Sequence, residues 1–158
     1  MSGRARRFLI FTLRGGRYAM NVSDLAEVME TPPTFPIPKA PKTFLGVMNF
    51  HGTPMPVLDL ASFFHGEPAK NTGRILILDH KIGSLALRID TVERIISDIR
   101  GLQIQQQDED SCARQSIMFN AEKIPLLAID LLMTELEDEI RTGGGKSESF
   151  TGVKAEKG

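Results

Sequence analysis

Tryptophan is absent from this chain, tyrosine occurs once, at Tyr18, and cysteine once, at Cys112. A single cysteine closes no internal disulfide, which excludes a stapled secreted scaffold and suits a reducing compartment such as the cytoplasm. Metal-ligand spacing is missing as well: His51, His65 and His80 are scattered over predicted turns, and none has neighbours at an interval that builds a shell. Nor does charge of one sign dominate. The 19 Lys and Arg side chains against 20 Asp and Glu leave a net charge of -1, so no global field draws in nucleic acid or an anionic membrane. Arg4, Arg6 and Arg7 form the one basic cluster, which reads as a solvated leader. Long apolar runs are lacking too, since a stretch such as Ile124 to Ile129 is about a third of the roughly 18 residues a membrane span requires.

The motifs of catalysis are also absent. There is no Gly-x-Ser-x-Gly, no Walker-type loop and no Gly-x-Gly-x-x-Gly after a strand, and Gly143 to Gly145 precede a polar tail, not a helix. Asp59, Asp79 and Asp90 each close a predicted strand, where a carboxylate holds turn amides, and nothing pairs them for acid-base work. Cys112 reads as an inert thiol in a polar loop. No catalytic, cofactor-binding or metal-binding residue is therefore expected, and function is expected to reside in surfaces.

What is present is a succession of short strands. Phe8 to Leu13 is dense in β-formers, Arg14-Gly15-Gly16-Arg17 is a turn, and Tyr18 to Val22 returns as a hairpin. Asp24 to Met29 reads as a short helical turn capped by Ser23, with Leu25, Val28 and Met29 on one face. Five prolines between Thr31 and Pro41 impose an extended surface connection. A second hairpin follows, Leu45 to Phe50 and Thr53 to Asp59 around His51-Gly52; Pro54 and Pro56 push its second strand toward an edge or a bulge. The breaker-rich stretch from residue 65 to 73 is the best internal boundary. Beyond it lie strands at Arg74 to Asp79, Ser84 to Ile89 and Thr91 to Ile96, with Leu85, Leu87 and Ile89 alternating as on a half-buried strand. Gln103 to Ser111 reads as a loop, and a last hairpin turns at Asn120 to Lys123. Ile129 to Arg141 predicts a terminal helix with Leu132 and Leu136 on one face. The expected domain limits are a flexible leader 1–7, a first lobe 8–64, a second lobe 74–128, the helix 129–141 and a disordered tail 142–158. Many short strands with little helix make the fold class mainly all-β.

The segment from Phe44 to Leu60 contains Gly46-Val47-Met48-Asn49-Phe50-His51-Gly52 and then Pro56-Val57-Leu58-Asp59-Leu60. It resembles the Gly-Val-x-Asn-Leu-Arg-Gly and Pro-Val-x-Asp-Leu signature of the CheW family of chemosensory adaptors. Leu25-Ala26-Glu27-Val28 is similar to that family's hydrophobic-x-Glu-Val element, and Ala86 to Ile95 to its Gly-hydrophobic-x-Val-Asp-x-Val-x-x-Val run. The resemblance covers residues 8 to 96 well and 115 to 136 loosely. It implies two SH3-like five-stranded barrels side by side, with short helical turns and a C-terminal helix. It also implies a non-enzymatic, cytoplasmic role at membrane-associated arrays, coupling the helical-hairpin tip of chemoreceptors to the CheW-like regulatory domain of the histidine kinase CheA. Leu25, Val28, Ala86, Val92 and Ile95 are the implied receptor groove, positions that read equally well as plain core; Glu27, His51 and Gly52 are the implied kinase or array contacts. His51 stands where the family has arginine, and Ala86 where it favours glycine. Two other readings stay open: a CheW-like regulator of a non-swimming pathway, and a small-molecule-binding β-barrel.

Overall fold

A computed structural model describes residues 6–66, 73–97, 104–110 and 112–142, with side chains left aside at 105–110 and 142. Most of the expected leader and all but the first residue of the expected tail lie outside this range. Eleven strands and two α-helices are described. Three pairs of strands are joined by two-residue turns: β1 (Arg7–Leu13) to β2 (Gly16–Asn21), β4 (Phe44–Phe50) to β5 (Thr53–Asp59), and β10 (Ala113–Phe119) to β11 (Glu122–Leu127). In each turn both residues have positive φ: 48° and 87° at Arg14-Gly15, 52° and 85° at His51-Gly52, 52° and 64° at Asn120-Ala121. That is the type I′ geometry, whose twist matches the strands it joins.

The other strands are β3 (Leu25–Glu30), β6 (Arg74–Leu78), β7 (Ala86–Ile89), β8 (Thr91–Ser97) and β9 (Ile104–Asp110). They assemble into a six-stranded sheet ordered β8-β1-β2-β11-β10-β9 and a five-stranded sheet ordered β3-β6-β7-β5-β4. The division into contiguous lobes 8–64 and 74–128 does not describe these sheets. The chain opens in the first sheet, crosses for β3 to β7, and returns, because β1 takes partners on both sides, β2 and the much later β8. Both sheets curl. Glu27, on one end strand of the five-stranded order, lies 3.7 Å from His51 at the turn of the opposite hairpin. In the other sheet Arg94 of β8 sits 5.6 Å from the ring centre of Phe119 on β10.

Two local expectations are overturned. Residues 25–30 form a strand, not a helical turn; only Val22–Asp24 make one turn of 3₁₀ helix, and Ser23 does not cap it. Six residues are too few to hold an isolated helix, whereas pairing with β6, from Leu25 opposite Leu78 to Glu30 opposite Arg74, fills the open edge of that strand. The glutamine-rich stretch is likewise not a loop: β9 pairs antiparallel with β10, so backbone pairing outweighs its polar composition and adds an end strand to that sheet. The two prolines of β5 have a partial account. β5 is interior to its sheet, but its pairing with β7 starts only at Val57, so Pro54 and Pro56 face β4 alone. Gly46 is required by close approach, for a Cβ there would lie 2.3 Å from the carbonyl oxygen of Phe35, which bridges Val47.

Alternation along the strands sorts side chains into three cores. Phe8 and Ile10 of β1 enter the interior of the six-stranded lobe with Ala19, Ile117 and Ile124. Ile75, Ile77 and Ala86 enter the five-stranded lobe with Met48, Met55 and Val57. Their neighbours Leu9, Phe11, Leu13, Leu76, Leu78, Leu87 and Ile89 face the opposite way into a shared core between the lobes. The expected half-buried strand at residues 85–89 is therefore covered on both faces. Helix α1 (Leu60–His65), which sequence patterning did not anticipate, adds Leu60 and Phe63 to the shared core. Helix α2 (Ile129–Thr142) adds Ile129, Leu132 and Leu136, as its periodicity predicted. Each fully buried Leu, Ile or Phe contributes about 1.5–3 kcal/mol, so the shared core fixes the lobes as one body. No helix among the described residues is long and apolar enough to cross a membrane.

Candidate protein-binding surfaces

β3 and β8 are the end strands of their sheets, and this exposes them. Along β3, Ala26, Glu27, Val28 and Glu30 are exposed, and along β8, Thr91, Arg94, Ile95 and Ser97. Large apolar side chains remain at the surface of both, Val28 at 36% and Ile95 at 53% exposure. Leu25 and Val92 are half-buried, packed on the rim of the shared core. Four of the five groove positions thus retain surface. Ala86 does not: it is 0% exposed in the centre of a five-stranded sheet, and its methyl meets Met48, Met55, Val57, Ile75 and Ile77. Its place on an interior strand covered on both faces makes it a packing residue.

Glu27, His51 and Gly52, the positions expected to meet a kinase, lie close together. Glu27 Oε1 and His51 Nε2 are 3.7 Å apart, an ion pair whenever the imidazole is protonated. The Phe50 ring, 4.3 Å from the His51 ring centre to centre, braces it. Gly52 serves the turn, its N–H donating to Asn49 Oδ1 at 2.7 Å. An acid, an imidazole and an apolar ring therefore stand together at the tip of one hairpin turn.

Several polar contacts hold the edges in place. The Arg17 guanidinium donates to both Glu93 oxygens and to Glu122, tying β2 to β8 and β11. The carboxylates of Asp90 and Asp79 accept from the backbone N–H of Arg14 and Lys81, at 2.6 and 2.9 Å, in the turn-holding role expected of them. Near α1, the Tyr18 hydroxyl lies 3.2 Å from His65 Nε2, and desolvation together with the nearby Arg14 charge pushes His65 below the ordinary histidine range. Asp24 lines a polar groove of about 560 Å³ with Asn21, Arg114 and Asp130. Burial, then repulsion from Asp130 and Asp79, pushes its carboxyl up. Among the described residues no group of His, Cys, Asp and Glu is disposed to hold a metal ion. Cys112 is buried rather than looped into solvent, and its carbonyl accepts from the Ala128 N–H at 2.7 Å. The Arg17 clasp escaped sequence reading because its partners lie 76 and 105 residues away.

The model of the CheW-like domain matches residues 7–137. This chain belongs to the CheW family. It is 25% identical over 141 residues to a probable chemotaxis protein CheW of Rhizobium etli, with 85% of this chain and 91% of that protein covered. To a chemotaxis protein CheW of Rhizobium meliloti it is 28% identical over 142 residues, with the same coverage. The crystal structure of the scaffolding protein TtCheW from Thermoanaerobacter tengcongensis superposes with a TM-score of 0.71 at 21% identity, over 80% of this chain and 86% of that one, so the fold is shared. A CheW-like chain of this kind is a mainly β protein of the chemotaxis scaffold family.

Proposed function

We propose that this CheW-like chain is a non-catalytic adaptor that couples chemoreceptors to the histidine kinase CheA, at the cytoplasmic side of receptor arrays. The observation that carries the reading is that one body exposes both apolar side chains on its end strands and a polar hairpin tip. Leu25, Val28, Val92 and Ile95 offer apolar surface on the end strands β3 and β8, suited to the apolar stripe of a receptor's helical hairpin. Glu27 and His51, held by Phe50 and Gly52, offer a polar tip suited to the kinase's CheW-like domain. A modular contact of this kind buries about 800 Å² or less per partner, which a turn and one strand provide.

Calorimetric titration of the chain with a receptor-tip fragment and, separately, with the kinase regulatory domain tests the proposal. Saturable binding to both, simultaneously, is expected. Binding to neither, with thermal stabilisation by a small metabolite instead, would favour a ligand-binding barrel. His51→Arg puts a permanently charged fork beside Glu27 and is expected to tighten the kinase contact at neutral pH by a few-fold.

A further inference from the structure

Helix α2 ends against its own amphipathic pattern. In one turn it buries Glu139, at 6% exposure, and leaves Ile140 at 56%. Thr43 hydrogen-bonds the buried carboxyl, but nothing among the described residues covers the exposed isoleucine, a costly arrangement for the isolated fold. Ile140 lines a groove of about 470 Å³ between α2 and the proline-containing connection, with Ile37, Phe44, Leu85 and Met133 among its other walls. None of Leu25, Val28, Val92, Ile95, Glu27 or His51 lines it, so it is separate from both surfaces assigned above.

The chemistry of the walls selects the occupant. Pro38, Pro41 and Pro56 line the groove and carry no backbone N–H, so an extended peptide cannot add a full ladder of main-chain bonds there. A helix, which satisfies its own backbone, fits such a wall through side chains alone, and the fixed φ of the prolines keeps the groove preformed. Charge fixes the orientation. On the α2 side the rim carries Glu137, while the opposite wall carries Lys39. We propose that this groove docks an amphipathic α-helix of a partner protein, its apolar stripe on Ile140, Met133 and Leu85 and a lysine- or arginine-bearing flank against Glu137.

The test uses the full chain with methyl-labelled methionine. The probe is a synthetic helical peptide of about five turns with a leucine stripe bordered by lysines on one flank and glutamates on the other; its twin carries glutamates in place of the lysines. The Met133 methyl resonance is expected to shift saturably with the lysine peptide, with about threefold tighter binding than the twin, the size of a rim charge contact. Glu137→Lys reverses that preference. Ile140→Asp weakens the lysine peptide by about tenfold or more while leaving the circular dichroism spectrum unchanged, because the side chain is already more than half exposed. The inference is overturned if Met133 does not respond to either peptide, or if Ile140→Asp binds as tightly as the parent. It is equally overturned if the parent self-associates and Ile140→Asp abolishes that, since the occupant would then be a second copy.

Discussion

Strands β7 and β3 lie two places apart in the same sheet and are used in opposite ways. All four residues of β7 are buried, Leu87 and Ile89 in the shared core and Ala86 inside the five-stranded lobe, whereas β3 exposes four of its six residues. The same contrast separates β1 from β8 in the other sheet. β7 and most of β1 are covered on both faces because the other sheet stands behind them. End strands escape that cover, and there apolar side chains are available to other proteins. The lesson is that buried and exposed apolar surface are divided between strands rather than between lobes.

The largest expected effect breaks the interior side of this contrast. Leu87→Ala empties a fully buried site facing the shared core and is expected to cost about 2–5 kcal/mol, read as a lowered denaturation midpoint. On the edge, Ile95→Asp should change stability by no more than about 0.5 kcal/mol yet weaken receptor-tip binding tenfold or more, read by calorimetry. Collapse of the fold in that variant would place Ile95 with β7 and erase the distinction.

Two smaller effects sharpen it. The Glu139 carboxyl is pushed up from its ordinary value, chiefly by burial, with the buried Thr43 hydroxyl opposing and Glu135 reinforcing the shift. A carboxyl raised in the folded state binds its proton more tightly there than in the unfolded chain. Its contribution to stability is therefore complete below the unfolded value of 4.5 and is lost as pH rises through the higher folded value. Glu139→Gln should accordingly flatten the loss of stability above that pH, so that its advantage over the parent is greater at pH 7 than at pH 4 in paired urea titrations. The smallest effect lies in a turn: Ala121 has φ of 64°, and Ala121→Gly removes the left-handed strain for a gain of about 1 kcal/mol, visible as a higher midpoint.

The elements legible in the sequence were those whose signal is local. Paired positive-φ turns, period-two strands and the apolar stripe of α2 each occupy a short window, and the hairpins at Arg14-Gly15, His51-Gly52 and Asn120-Ala121 stand where local patterning puts them. What failed depends on distant partners. The i, i+3, i+4 spacing of Leu25, Val28 and Met29 belongs equally to a bulged strand, and only the free edge of β6 decides between them. A run of glutamines becomes β9 because β10 offers it a backbone partner. Lobe membership was misread because strand order crosses between sheets, so that β1 pairs with a strand more than 80 residues later. Of the expected site residues, Glu27 and His51 are neighbours in space, since a motif names the turn and barrel curvature supplies the partner. Ala86 is buried, and burial on both faces cannot be read from one strand. The α2 groove was invisible in sequence, being assembled from residues 37 to 140.

The central claim is that one rigid body carries separable receptor and kinase surfaces. Its most direct test is co-sedimentation of the chain with receptor tips and the kinase regulatory domain, comparing the parent with Ile95→Asp and Glu27→Lys. The account predicts that Ile95→Asp loses the receptor and keeps the kinase, while Glu27→Lys does the reverse. Variants that each lose both partners, or neither, would contradict it.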